Sequence, residues 1–222
     1  MPSERLRSVS SSSVIRVGVA DDHTITRYAL AAQIRVQPRM IHAGEAVDGS
    51  TALQLVRKGN LDVLLLDLMM PGASGLDVLH RIKARAPNLG VVVFTSYPAR
   101  RYALNALRLG ANAYLAKTGD PEEIIKAIFQ TATGERYLSA EVGELLAQSA
   151  TSPSREPHEN LTQSEFQILL HLAKGESSTQ IAGQLLLSPK TISTYRTSLM
   201  KKMEARTNSD LTHYALSKGL LE

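Results

Sequence analysis

The sequence predicts an α/β domain built on a doubly wound, five-stranded parallel sheet, followed by a small all-α domain of four helices. Three observations carry that expectation. Between Val14 and about Gly134, five short apolar runs alternate with five amphipathic stretches. A Ser-, Pro- and charge-rich interval, AQSATSPSREPHEN (147–160), then breaks the alternation. From Leu161 to Glu222 the apolar residues recur only at helical spacing.

The apolar runs are IRVGVA (15–20), MIHAGEAV (40–47), LDVLLLDL (61–68), GVVVFTS (90–96) and AYLAK (113–117). Near-continuous Val, Leu and Ile suit strands covered on both faces. The stretches between them predict helices over 24–36, 50–58, 75–86, 99–109 and 121–133, with Ser50 and Asp120 as N-caps and Pro121 at a first helical position. A further helix is expected over 140–148. In the second block helices are expected over 163–174, 178–186, 189–204 and 208–218. Thr162 and Glu165 form a capping box there, and Leu161 and Phe166 a hydrophobic staple. Ser188-Pro189 opens the third helix and Gly219 ends the fourth. The division is therefore a disordered tail over 1–13, a first domain over 14–135, a linker over 136–160 and a second domain over 161–222.

Composition narrows the function. The chain of 222 residues has no Cys, which excludes disulfides, thiolate nucleophiles and cysteine metal sites and suits a cytoplasmic protein. No apolar run approaches the ~20 residues of a membrane helix, so no membrane partner is expected. The net charge is only +4, so its location matters more than its total.

In a parallel sheet, ligands bind beyond the carboxyl ends of the strands. Asp21 and Asp22 end the first run, Asp67 the third, Thr95 the fourth and Lys117 the fifth. Placing strands one, three, four and five side by side gathers them. Crowded carboxylates repel one another unless a cation or proton intervenes. Oxygen donors without Cys or His suit a hard ion, and Mg2+ is the natural one. A carboxylate such as Asp67 is a competent nucleophile toward phosphorus, giving an aspartyl phosphate. Lys117 and the Thr95 hydroxyl then offer partners for the phosphoryl oxygens. Singly, these residues have plainer readings: an Asp pair as a helix cap, a strand-end Thr as structure, a strand-end Lys as a solvated side chain. Asp67, straight after three leucines, is the hardest to explain that way. The reading requires its carboxyl to lie beside those of Asp21 and Asp22 and to be reachable from solvent.

The motifs VGVADDH (17–23), LLLDLMMPGASG (64–75), VVFTSY (92–97) and GANAYLAK (110–117) make this block resemble the receiver domain of bacterial two-component response regulators, a flavodoxin-like fold. The resemblance implies that Asp67 is the phosphoacceptor of a sensor histidine kinase. It further implies that Asp22, assisted by Asp21, is the acidic Mg2+ ligand and that Met69 supplies a backbone carbonyl. Thr95 and Tyr114 match the family's switch pair, although a half-buried strand aromatic explains Tyr114 equally well. Thr118 stands where many receivers have a Pro after a cis peptide; a cis Lys117-Thr118 bond would cost ~3 kcal/mol.

Across 188–203 the basic residues are Lys190, Arg196, Lys201 and Lys202, with no acid. On a helix Ile192, Tyr195, Leu199 and Met203 share one stripe, opposite Lys190, Thr194, Thr197 and Lys201. An apolar back with a short-polar, basic front suits a helix in a DNA major groove, and a preceding short helix completes a helix-turn-helix. Lys190, Thr191, Ser193, Thr194, Arg196, Thr197 and Lys201 are the candidate DNA contacts; a solvated basic face is the alternative. The run LTQSEFQILLHLAKGESSTQIAGQLLLSPKTISTYRTSLMKKMEARTNSDL resembles the LuxR-type (NarL/FixJ-like) DNA-binding domain, with Ser164 and Thr179-Gln180 as departures. The resemblance implies double-stranded promoter DNA as partner and a homodimer, through the fourth helix, when phosphorylated or DNA-bound. Leu211, Ala215 and Leu216 are candidates for that face or for the core. The expected function is a phosphorylation-dependent transcription regulator, not an enzyme. An aspartate-based phosphohydrolase is a rival, disfavoured because Met69 stands where such enzymes place a second acid. A receiver serving only as a dimerisation scaffold is another.

Overall fold

A computed structural model describes residues 14–71, 74–151, 156–185 and 187–221. The tail expected over 1–13 lies outside them. The elements follow in order as β1 (Ile15–Ala20), α1 (Thr24–Arg35), β2 (Met40–Ala46), α2 (Gly49–Arg57), β3 (Val63–Leu66), α3 (Gly75–Arg85), β4 (Gly90–Thr95), α4 (Ala99–Arg108), β5 (Ala113–Ala116) and α5 (Pro121–Ala132). Then come α6 (Ala140–Thr151), a 3-10 turn (Pro157–Asn160), α7 (Gln163–Ala173), α8 (Ser178–Gln184), α9 (Pro189–Lys202) and α10 (Asn208–Ser217). Two compact units divide between Gln148 and Ser149.

In the first unit all strand pairs are parallel and the order is β2-β1-β3-β4-β5. Every residue of β3 and β4 is buried, as expected for strands with helices on both faces. One side of the sheet presents Val17, Val19, Leu65, Val92, Phe94 and Leu115 to a core completed by Ile124 and Ile128 of α5. The chain leaves β1 first toward β2 and later toward β3. That reversal puts a crevice at the carboxyl ends of β1 and β3. The backbone ladder runs one residue past each strand: Asp21 N donates to Ala46 O (3.1 Å), Asp67 N to Ala20 O (2.8 Å) and Lys117 N to Thr95 O (2.9 Å). These three side chains are thus fixed at their roots.

Two local expectations change. Ser50 is not the cap of α2. Asp48 is: its Oδ1 accepts Thr51 N at 2.8 Å, and the Ser50 hydroxyl donates to the same oxygen at 2.9 Å. A carboxylate two residues upstream outcompetes a hydroxyl already inside the first turn. The stretch read as linker over 136–160 is more ordered than that: the helix expected over 140–148 forms as α6 with Val142 buried, and a 3-10 turn that was not expected follows. The Lys117-Thr118 peptide is trans; there is no cis bond among the described residues. Gly75 begins α3 against the loop that follows Asp67. A Cβ there would lie 2.3 Å from Leu68 Cα and 2.6 Å from Leu68 O, so only glycine lets this loop close on the helix.

The second unit is a bundle of α7–α10. The Thr162–Glu165 capping box forms, and Leu161 and Phe166 are buried. Ser188 caps α9 through Thr191 N, with Pro189 at the first helical position. Ile192, Leu199 and Met203 are buried and Tyr195 is half-buried, as the stripe requires. Leu211 and Ala215 belong to the core, while Leu216 is exposed.

Glu165 does more than cap. Its Oε2 accepts Thr162 N (2.7 Å) and faces Lys202 Nζ at 2.6 Å, and its Oε1 accepts the Ser198 hydroxyl at 2.6 Å. The carboxylate therefore clamps α9 onto α7. Burial alone would raise its pKa; the bonds from Lys202, Ser198 and Thr162 outweigh burial and hold it below the ordinary glutamate value of 4.5. A depressed folded pKa contributes stability that is present above the unfolded value and lost as pH falls through the folded one. Glu165→Gln should therefore destabilise the second unit by about 1.5–3 kcal/mol at neutral pH, the range for bonds to a charged group. Urea unfolding at several pH values checks this. The gap between wild type and variant should shrink as pH falls below the glutamate range.

Candidate functional site

At the carboxyl edge of the sheet, β1 delivers Asp21, β3 delivers Asp67 and β5 delivers Lys117. Lys117 Nζ lies 2.6 Å from Asp67 Oδ2 and 2.7 Å from Asp21 Oδ2. Asp67 Oδ1 accepts Met69 N at 3.0 Å, and Asp21 Oδ1 accepts His23 N at 2.8 Å. Asp21 and Asp67 are buried, whereas Asp22, His23 and Met69 rim the pocket as exposed residues. The Asp pair does not cap α1: His23 occupies the cap position and makes no side-chain cap bond.

Burial alone would pull the Lys117 ammonium down. Its contacts with Asp21 and Asp67, and their charges, outweigh burial and raise its pKa above the lysine norm. The Asp21 contact is an ion pair poorly aligned for a hydrogen bond, so this buried oxygen keeps an unsatisfied lone pair. Asp21, Asp22, His23 and Asp67 each offer a ligand atom within 4.8 Å of the others. One ammonium against three carboxylates, hard oxygen donors and an under-used buried oxygen together fit a divalent metal ion.

His23 is a member that sequence reasoning missed. Its Nδ1 lies 2.8 Å from Asp22 Oδ1 and 3.3 Å from Asp21 Oδ1. The signal was its place directly after the Asp pair. The structure also departs from expectation in one respect. The Asp67 carboxyl is beside Asp21, as required, but it is fully covered, and Lys117 closes over Oδ2. Access requires that side chain, itself partly exposed, to swing aside.

Thr95 and Tyr114 are both buried and converge on one residue, Tyr97. Thr95 Oγ1 accepts Tyr97 N at 3.3 Å, and Tyr114 Oη donates to Tyr97 O at 2.9 Å. The Tyr97 ring stacks on Tyr102 of α4, centroids 4.5 Å apart. Burial, with Tyr102, Glu141 and Asp67 nearby, pushes the Tyr114 phenol well above its ordinary pKa, so it stays a donor. The half-buried reading of Tyr114 is thereby replaced by full burial. Tyr97 was also missed by sequence reasoning. Its place two residues after Thr95 was the available signal.

On α9, Lys190, Ser193, Thr194, Thr197 and Lys201 are exposed along one face. Thr194 and Thr197 donate their hydroxyls to Lys190 O (3.1 Å) and Ser193 O (3.0 Å), which commits their hydroxyl protons to the helix backbone. Thr191 is half-buried and shares a 2.7 Å hydroxyl contact with the cap Ser188. Arg196 turns to the flank, where it donates to Asn208 Oδ1 at 3.0 Å. Lys202 is committed to Glu165.

Residues 17–129 match the response regulator receiver domain, and residues 159–215 match the luxR family of bacterial regulatory proteins. The chain is 30% identical to the response regulator UvrY of Escherichia coli, covering 93% of this chain and 96% of that one. It is 33% identical to the oxygen regulatory protein NreC of Staphylococcus epidermidis, covering 94% and 100%. The structure of RcsB from Salmonella enterica serovar Typhimurium, bound to a promoter in the presence of the phosphomimetic BeF3-, is similar at 27% identity and a TM-score of 0.59, covering 92% of this chain and 98% of that one. The receiver unit, the helix-turn-helix unit and their order in one chain are those of the NarL/FixJ response regulators, and the chain belongs to that family.

Proposed function

We propose that Asp67 takes a phosphoryl group from the phosphohistidine of a sensor kinase and that its phosphorylation controls promoter binding through α9. The observation that carries this reading is the meeting of Asp67, Asp21 and Lys117 at one point, within 2.7 Å of a single ammonium. Lys117 withdraws from Asp67 to open a carboxylate oxygen. That oxygen attacks phosphorus, the P–N bond to the donor imidazole breaks, and the imidazole leaves with its electron pair. Lys117 then pairs with a phosphoryl oxygen and Thr95 donates its hydroxyl to another, giving up its contact with Tyr97. Asp21, Asp22, Asp67 and the Met69 carbonyl would hold Mg2+, which when bound would supply charge neutralisation for the phosphoryl group.

Release of Tyr97 N from Thr95 frees the segment that Tyr114 holds by its carbonyl. The state of the pocket is thus passed to the start of α4, a local charge event biasing a two-state element. In the second unit Lys190 and Lys201 neutralise phosphates, while Ser193, Thr194 and Thr197 face base edges. Thr191 and Arg196 act from the flanks, on the backbone. Exposed Leu216 on α10 supports a homodimer on two-fold-related half-sites. Met69, with no acid to offer a leaving group, supports a regulator over a phosphohydrolase. No helix among the described residues is long and apolar enough to cross a membrane, which accords with a cytoplasmic regulator.

Acetyl phosphate with Mg2+ should label the wild-type chain and leave Asp67→Asn unlabelled, as read by phosphate-affinity gel shift. Labelling of the variant would remove Asp67 from the mechanism. Removing Lys190 and Thr194 together should lower operator affinity, with the Thr194 part confined to specific sequence at about 1–3 kcal/mol and the Lys190 part also lowering the salt dependence of binding. Fluorescence anisotropy on specific and random duplexes separates the two. Unchanged operator affinity would reject α9 as the reading helix.

A further inference from the structure

The loop that carries Asp21 and Asp22 is held from behind by a residue outside the pocket. Arg27, in the first turn of α1, keeps its side chain only 11% exposed. Its Nη1 donates to the backbone carbonyls of both Asp21 (2.9 Å) and Asp22 (3.0 Å), and its Nη2 donates to the Thr24 hydroxyl at 3.2 Å. Its Nε pairs with Glu45 Oε2 of β2, also at 3.2 Å. Four donor contacts on one planar guanidinium define its orientation, and an ammonium cannot reproduce that fork. The Asp21 and Asp22 carbonyls fix the peptide planes on either side of Asp22, and through them the direction in which each carboxylate leaves the chain.

We propose that Arg27 is a positioning residue that presets the cation site, with Glu45 holding its fork in register. This rests on the reading that the pocket takes a divalent ion. The sign of the effect separates geometry from charge. A positive guanidinium close behind a cation site weakens cation binding by Coulomb repulsion. Were charge its only effect, its removal would tighten binding. As an orienting group, its loss loosens binding, by roughly the 10–100-fold typical of groups that orient metal ligands.

The experiment uses the full-length chain and Mn2+ alone, with the free ion counted by electron paramagnetic resonance. Arg27→Lys keeps the charge and loses the fork; Arg27→Met loses both. Each should raise the Mn2+ Kd at least tenfold. In acetyl-phosphate labelling, the half-saturating Mg2+ should rise while the rate at saturating Mg2+ stays within a few-fold of wild type. A merely structural role would lower that plateau and leave the half-saturation point unmoved, which would overturn the proposal. So would an unchanged or tighter Kd. If the Arg27 variants fail to fold, Glu45→Gln, on the solvent end of the fork, carries the test. At high salt, which screens the lost charge, its Kd should still rise severalfold, and no rise would overturn the proposal. Wild-type protein that binds no Mn2+ would instead refute the underlying reading of the pocket.

Discussion

Two aspartates from neighbouring strands end the sheet side by side, and one ammonium from the far edge reaches both. Like charges within 4.8 Å repel by roughly 3.5 kcal/mol at an effective dielectric near 20. Asp21 and Asp67 are nevertheless buried together, with Asp22 at the rim. Lys117 offsets one negative charge and leaves the cluster short of positive charge. That deficit is the physical basis for the proposed cation and for attraction of a phosphoryl donor. It also explains the covered Asp67: until another cation serves the site, Lys117 is its only strong neutraliser among the described residues, so it stays down.

The rest of the first unit serves this arrangement. The strand order sets β1 beside β3, and ladder bonds one residue past each strand root the three charged side chains. Gly75 lets the loop after Asp67 fold tightly onto α3, and Arg27 anchors the loop after β1. In the proposed switch, pocket chemistry becomes a surface change through Tyr97, whose amide and carbonyl are divided between Thr95 and Tyr114. In the second unit a single carboxylate, Glu165, caps α7 and clamps α9 onto it.

Much of this was legible in the sequence because the signals were periodic. Leu64-Leu65-Leu66 suits a strand covered on both sides, and the spacing of Ile192, Leu199 and Met203 suits the back of a helix. Asp21, Asp67 and Lys117 were legible because each follows such a strand directly. What escaped were choices between competing polar neighbours. Asp48 and not Ser50 caps α2, because a carboxylate accepts from two donors at once. Arg196, a candidate DNA contact by sequence, and Lys202, one of the basic residues of the segment, each have a partner on another element, Asn208 and Glu165. His23 and Tyr97 carry only a positional signal, beside the Asp pair and Thr95, and Arg27 none; all three matter through distances to backbone and carboxylate atoms.

The central claim is that the three carboxylates and Lys117 form one charge-deficient site that a divalent ion completes. The most direct measurement is thermal unfolding of the unphosphorylated chain against Mg2+ concentration. Above the Kd, each tenfold rise in Mg2+ should add about 1.4 kcal/mol to the first unit, and replacing Asp22 and Asp67 by Asn should abolish the increment. A transition that ignores Mg2+, or an increment that survives those replacements, would contradict it.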